Sequence, residues 1–317
     1  MRQAPPESDS QKLSGGEIPG TSGVPAYTLS GRGPSAIPIL IAVPHAGRAY
    51  PGSLLDEMRH PEDAALKLED RYVDRLVRDV ATATGAKLLV ANAPRAMIDL
   101  NRAPDDVDWE MFGKDERPAI GDYSTSRRAR SGLGLIPCRV PGIGELWKRP
   151  HLGSELRSRI SGIHVPYHEC LAGSLTELHD RWGVAVLLDL HSMPPIQHQG
   201  GLPGPEFVLG DRFGASCQGG LVAAAFSFFN EHNRLAAHNR PYSGGYILQR
   251  HGAPESGVHA LQVEIDRSAY LDSRLAEPGP GFGKIADLLT GLVRRLASNA
   301  VSLGSNESDS RWPEAAE

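Results

Sequence analysis

The chain has 317 residues, 40% hydrophobic and 22% charged, which places it in the globular range and excludes collagen-like, mucin-like and membrane compositions. Lys and Arg number 33 against 38 Asp and Glu, a formal net charge of −5, and no basic cluster is interleaved with aromatics, so no nucleic-acid partner is expected. Cys138, Cys170 and Cys217 are scattered and never form a CxxC pair, and no run approaches the ~20 apolar residues that span a bilayer, so a cytoplasmic protein without membrane contact is expected.

Residues 1–34 are rich in Gly, Ser, Pro and Gln with little to bury, and their composition predicts a disordered tail. A single α/β domain is expected over 35–301. Apolar runs and amphipathic stretches alternate there: 37–43 reads as strand, 64–84 as helix and 87–93 as strand, the signature of a parallel sheet. The Gly-, Pro- and Arg-rich stretch 105–150 reads as a long excursion over a site, with the clustered Arg127, Arg128 and Arg130 in a solvated loop. Beyond it, 155–182 reads as a long helix and 184–190 as a strand buried on both faces. Strands at 207–209 and 259–265 and helices at 214–230 and 285–297 complete a central, mostly parallel mixed sheet flanked by helices. Residues 302–317 return to tail composition.

Ligands of open α/β sheets bind beyond the carboxyl ends of the strands. Four strand ends here carry polar residues: Pro44-His45-Ala46-Gly47, then Arg95 through Asp99-Leu100-Asn101-Arg102, then Asp189-Leu190-His191-Ser192, and Val263-Glu264-Ile265-Asp266. Two histidines at strand ends plus one carboxylate make a common hydrolytic zinc arrangement, with a fourth position left for water. His45 and His191 are the candidate ligands, and the acid comes from Glu69 or Asp70 in the helix that follows. Asp189, two residues before His191 and on the same strand face, is placed to orient the imidazole. Glu264 sits between Val263 and Ile265, where a carboxylate costs several kcal/mol unless it is paired or functional.

Competing motifs fail. His168-Glu169 has Ala172 where HExxH needs its second histidine, and Gly214-Ala215-Ser216 is followed by Gln218 rather than the glycine of a nucleophile elbow. The glycines of 279–284 lack both the gap and the Ser or Thr of a P-loop.

The assembled residues resemble the N-formylglutamate amidohydrolase family, which is related in fold and site layout to zinc carboxypeptidases and aminoacylase-type deacylases. The resemblance is carried by Pro44-His45-Ala46-Gly47, by Asp70 and Asp74, by Ile98-Asp99-Leu100-Asn101-Arg102, by Pro166-Tyr167-His168, by Asp189-Leu190-His191-Ser192, by Gly244-Gly245-Tyr246 and by Leu261-Gln262-Val263-Glu264. It implies a zinc-exopeptidase-like three-layer sandwich and metal-dependent hydrolysis of a small N-acyl amino acid. His45, Asp70 and His191 would hold Zn2+ or another divalent ion, and Glu264 would serve as general base. Arg95 would stabilise the oxyanion, Asn101 and Arg102 would clamp a carboxylate, Gly245 and Tyr246 would line the substrate side, and His168 would either donate a hydrogen bond to substrate or cap a turn. The implied reaction takes N-formyl-L-glutamate to formate and L-glutamate, a step of histidine breakdown. One departure is plain: carboxypeptidases take the acidic ligand three residues after the first histidine, and that position here is Arg48, so the acid comes from further along the chain. The readings that stand beside this one are a deacylase or peptidase of different substrate and a catalytically inactive binding protein of the same fold.

Overall fold

Eight strands build one mixed sheet in the computed structural model, which describes residues 10–117, 126–196 and 204–309. The chain order is β1 (Ser10–Gly15), β2 (Tyr27–Arg32), β3 (Ile39–Val43) and β4 (Lys87–Ala91), then a small separate pair, β5 (Arg139–Val140) and β6 (Gly144–Glu145). It continues with β7 (Ala185–Met193), β8 (Phe207–Gly210), β9 (Ala236–His238) and β10 (Val258–Asp266). Across the main sheet the order is β1-β2-β4-β3-β7-β10-β8-β9. The run from β4 through β10 is parallel, as is β8 with β9, while β1 on β2, β2 on β4 and β8 on β10 pair antiparallel. The helices are α1 (Gly52–Glu57), α2 (Pro61–Leu68), α3 (Val73–Thr84), α4 (Arg127–Arg130), α5 (Gly153–Arg159), α6 (Val165–Trp182), α7 (Gly219–Glu231), α8 (Tyr246–His251) and α9 (Phe282–Asp309). This is the single-domain α/β architecture, with a mostly parallel mixed sheet, that the residue pattern predicts.

Period-two alternation divides the interior into two cores. On one face Ile39, Ile41, Val186, Leu188, Leu190, Val263 and Ile265 pack with apolar residues of α3, α7 and α9. On the other, Leu40, Ala42, Ala185, Leu187 and Ala260 pack with Leu171, Leu175 and Leu178 of α6. That second face changes character along the strands: 185 and 187 are apolar, whereas 189 and 191 on the same side are Asp and His, and Ala260 is followed by Gln262 and Glu264. The sheet therefore presents its polar groups on one face, toward the carboxyl ends of β7 and β10. Among the described residues no helix is long and apolar enough to cross a membrane.

Four expectations need correction. The stretch read as an N-terminal tail is built into the sheet from Ser10 to Arg32, because its average composition hides Ile18, Ala26 and Leu29, which are buried in the second core. Each large apolar side chain so buried contributes about 1.5–3 kcal/mol, which offsets much of the ordering cost of its neighbours. Residues 1–9 and 310–317 of the predicted tails lie outside the described residues, and α9 runs eight residues beyond 301, to Asp309. The predicted helix over 64–84 is broken between Leu68 and Val73. There Tyr72 adopts φ 59°, and the Arg267 guanidinium takes the carbonyls of Leu66 (3.0 Å) and Glu69 (2.6 Å) at the end of α2. The predicted helix over 155–182 contains a π-helical turn, Ile160–His164, between α5 and α6.

Candidate active site

The chain leaves β3 for β4 on one side and returns to the other side of β3 at β7, so the carboxyl ends of β3 and β7 flank a topological switch point. His45 lies two residues past β3, and His191 lies near the end of β7. Gly47 is required in the first turn, since a Cβ there would stand 2.0 Å from the carbonyl oxygen of Ala93. Asp70 comes from the break between α2 and α3 rather than from a helix face. Its N–H donates to the His45 carbonyl (2.9 Å), which pins the break beside the first histidine.

One ligand atom from each of His45, Asp70 and His191 lies within 4.8 Å of the others, and all three residues are buried. Asp70 Oδ2 is 2.9 Å from His191 Nδ1 and 3.5 Å from His45 Nδ1. The far nitrogens are engaged: His45 Nε2 donates to Asp99 Oδ1 (2.7 Å) and His191 Nε2 donates to Asp189 Oδ2 (2.9 Å). A carboxylate behind each imidazole fixes the ring and leaves Nδ1 facing the centre, as in carboxylate–histidine–metal triads. Among the described residues His45 Nδ1 is buried without a hydrogen-bond partner, and the two-nitrogen, one-carboxylate donor set fits a divalent cation. Glu69, the rival acid, is committed elsewhere, with Oε2 accepting from Arg71 (3.0 Å). Asp70 Oδ1 accepts from Ser192 Oγ (3.1 Å), and Ser192 Oγ in turn accepts from Arg267 Nε (3.0 Å).

The electrostatics follow from burial and pairing. Burial alone would raise Asp70, but hydrogen bonds and charge from His191 and His45 hold it well below the usual carboxylate range. Asp99 behaves likewise, with Arg95, His45 and Arg102 overriding burial. Burial opposes a charge on His191, yet Asp189 and Asp70 raise it well above an ordinary histidine. For Glu264 burial wins, with Asp70 and Asp189 adding to it against the charges of His191 and Arg95, and its carboxyl is pushed up to about 7. Its Oε1 accepts from Gln262 Nε2 (2.9 Å).

A cavity of about 460 Å³ opens over this cluster. Of the predicted residues, His45, Asp70, His191, Arg95, Asn101, Arg102, Gly245 and Glu264 line it. Asn101 Oδ1 accepts from the N–H of Ile247 (2.9 Å), and a Cβ on Gly245 would fall 2.4 Å from that oxygen, so only glycine lets this backbone close onto Asn101. Arg102 is buried, with Nε on the Leu133 carbonyl (2.9 Å) and Nη1 on the Asn101 carbonyl (2.8 Å). Tyr246 lines an adjoining cavity of about 650 Å³. Of the two roles read for His168, substrate binding is corrected: it is fully buried and does not line the cavity. Its Nε2 donates to the Leu100 carbonyl (3.0 Å) and its Nδ1 accepts from His251 Nε2 (2.9 Å). With His164 Nε2 donating to the Arg102 carbonyl (2.9 Å), it braces the segment that carries Asn101.

Four residues of the site escaped sequence reasoning. Asp99 stood inside a quoted motif, but nothing local tied it to His45. Arg267 and Tyr242 had no signal beyond residue type. Arg128, read as part of a solvated loop, lines the cavity.

The family model for N-formylglutamate amidohydrolase matches residues 37–271. The N-formylglutamate deformylase of Pseudomonas aeruginosa is 30% identical over 280 residues, 84% of this chain and 94% of that protein. That of Pseudomonas putida is 30% identical over 242 residues, 74% of this chain and 82% of its own length. The crystal structure of N-formylglutamate amidohydrolase from Ralstonia eutropha JMP134 has a TM-score of 0.78 at 31% identity, covering 87% of this chain and 98% of that one. With a match spanning well over half its length, the chain belongs to the N-formylglutamate amidohydrolase family.

Proposed function

We propose that the protein is a divalent-metal-dependent amidohydrolase that converts N-formyl-L-glutamate and water to formate and L-glutamate, with zinc as its ion, in the histidine breakdown of the cytoplasm. The observation that carries this reading is the convergence of His45 Nδ1, Asp70 and His191 Nδ1, each imidazole backed by its own carboxylate, in one cavity with the buried Glu264. The names of the relatives at 30% identity support the substrate.

A cation held by these three residues supplies Lewis acidity and acidifies water. Glu264, with its carboxyl near neutrality, takes a proton from the attacking water and delivers it to the amide nitrogen as the C–N bond breaks. The water oxygen becomes the second oxygen of formate, and the amine leaves as glutamate. Arg95 is held by Asp99, with Nη2 2.9 Å from Oδ2, and presents its guanidinium to the charge developing on the formyl oxygen. Asn101 and Arg102 grip the α-carboxylate, for which a planar guanidinium fork is suited.

N-formyl, N-acetyl and peptide substrates assayed with and without added divalent ions test the reading. The highest kcat/KM is expected for N-formyl-L-glutamate, lost on chelation and restored by zinc. Activity confined to longer acyl groups, or indifferent to chelation, overturns it. Glu264→Gln is expected to lower turnover about 10³-fold while bound metal stays stoichiometric, and unchanged turnover would remove Glu264 as the base.

A further inference from the structure

Four arginines, Arg95, Arg102, Arg128 and Arg267, line the same cavity together with Lys67, and Arg267 is committed to Ser192 Oγ and to the carbonyls of Leu66 and Glu69. Arg95 is neutralised by Asp99. Arg102 spends its bonds on two neutral carbonyls, and among the described residues it forms no ion pair. The Arg128 side chain is exposed and, among the described residues, has neither an ion pair nor a hydrogen bond. Its position is nevertheless built. Ala129 beside it is fully buried, and the Ser126 hydroxyl accepts from the Ala129 N–H (3.0 Å) to cap α4. The Leu133 N–H donates to the Arg128 carbonyl (2.9 Å), while the Leu133 carbonyl accepts from Arg102 Nε (2.9 Å). One residue, Leu133, therefore spaces the two arginines; burial above all disfavours the charge of Arg102, and the nearby Arg95 and Arg128 add to that against the favourable carboxylates of Asp99 and Asp106. Holding two like charges on one wall is unfavourable unless an anion joins them.

The proposed substrate carries two carboxylates, and among the described residues Arg102 and Arg128 are the cavity's two arginines without an ion pair. We propose that Arg128 is the specificity-determining residue of this enzyme: it binds the side-chain carboxylate of a dicarboxylic N-formyl amino acid while Arg102 and Asn101 hold the α-carboxylate. This inference rests on the function proposed above. The assignment of the two ends follows from depth. The α-carboxylate is one carbon from the scissile nitrogen and must lie close to the ligands, where Arg102 is buried and Asn101 Nδ2 stands 3.3 Å from His191 Nε2. The side-chain carboxylate lies two methylenes farther out, and Arg128 is exposed where Arg102 is buried; Arg128, like Asn101 and Arg102, lines both this cavity and the adjoining one. A planar fork there rejects a neutral amide of the same shape, because only the carboxylate offers two charged acceptors.

The test compares kcat/KM on N-formyl-L-glutamate and its neutral isostere N-formyl-L-glutamine for the zinc-loaded wild type, Arg128→Gln and Arg128→Lys. Arg128→Gln is expected to lose about 10- to 100-fold on the dicarboxylate, chiefly through KM, and less than about twofold on the amide. Arg128→Lys recovers part of the loss. An equal loss on both substrates, or a preserved preference for the dicarboxylate, overturns the assignment. If the wild type hydrolyses neither substrate, the proposed function fails, and calorimetry with glutarate and butyrate decides the inference separately. Glutarate affinity lost in Arg128→Gln, with butyrate unchanged, supports the subsite, and equal glutarate affinity in the two proteins refutes it.

Discussion

Asp99 serves three donors at once: His45 Nε2, the N–H of Asn101 and Arg95 Nε. One carboxylate thus sets His45, Asn101 and Arg95, the residues proposed above as metal ligand, carboxylate clamp and oxyanion arginine, in mutual register. Asp99→Asn keeps the shape and removes the charge, and is expected to weaken metal binding about 10- to 100-fold, read by competition with a chelator. Unchanged affinity would show that Asp99 does not tune His45. At this scale the sequence revealed the groups whose type conflicts with their setting. A histidine or glutamate at the end of an apolar strand is costly unless it works, and His45, His191 and Glu264 were readable for that reason. Asp99 was not, because its partner lies 54 residues away in the chain. His168 stayed open between two roles because residue type does not disclose burial, and it proves to be a brace, with both ring nitrogens engaged behind the cavity wall.

The break between α2 and α3 delivers Asp70, and its stop signal is remote. Apolar residues recur across 64–84 at helical spacing, and neither Gly nor Pro occurs at the break, so periodicity alone runs the two helices together. What ends α2 is Arg267, 198 residues from the Glu69 carbonyl that it takes. Arg267→Met strands the carbonyls of Leu66 and Glu69 and releases Ser192, at a cost of about 1–3 kcal/mol for each buried acceptor left without a donor. A lower thermal midpoint together with weaker metal affinity is expected, because Asp70 loses the support of Ser192. A lower midpoint with metal affinity intact would make Arg267 a helix cap and nothing more. The parallel strands β3, β7 and β10 were legible to within a few residues, since each is an apolar run bounded by breakers.

At the scale of the whole molecule, burial holds four histidines neutral among the described residues, His164 being one of them. Burial pushes His151 to about 4, His168 to about 2 and His251 to about 4. Their folded values lie below the unfolded value near 6.5, so their contribution is intact above that pH and is lost as the pH falls toward 4. In that window the unfolded chain takes up protons that the folded chain refuses, at a cost of up to about 1.4 kcal/mol per histidine per pH unit. The urea midpoint of the metal-free protein is expected to fall steadily from pH 6.5 to 4.5, and a flat profile would show that these imidazoles are not held neutral. The domain's extent was the least legible feature at this scale, because averaging over Gly, Ser and Pro masks the three apolar anchors that bind the first segment to the core. That segment has a practical meaning for anyone handling the protein. Because β2 lies along β4 and β1 lies outside β2, trimming the gene to begin at residue 35 would strip the flank of the sheet down to β4. The bared backbone would invite neighbouring chains to pair with it, and precipitation would then reflect where the cut was made rather than any weakness of the catalytic machinery.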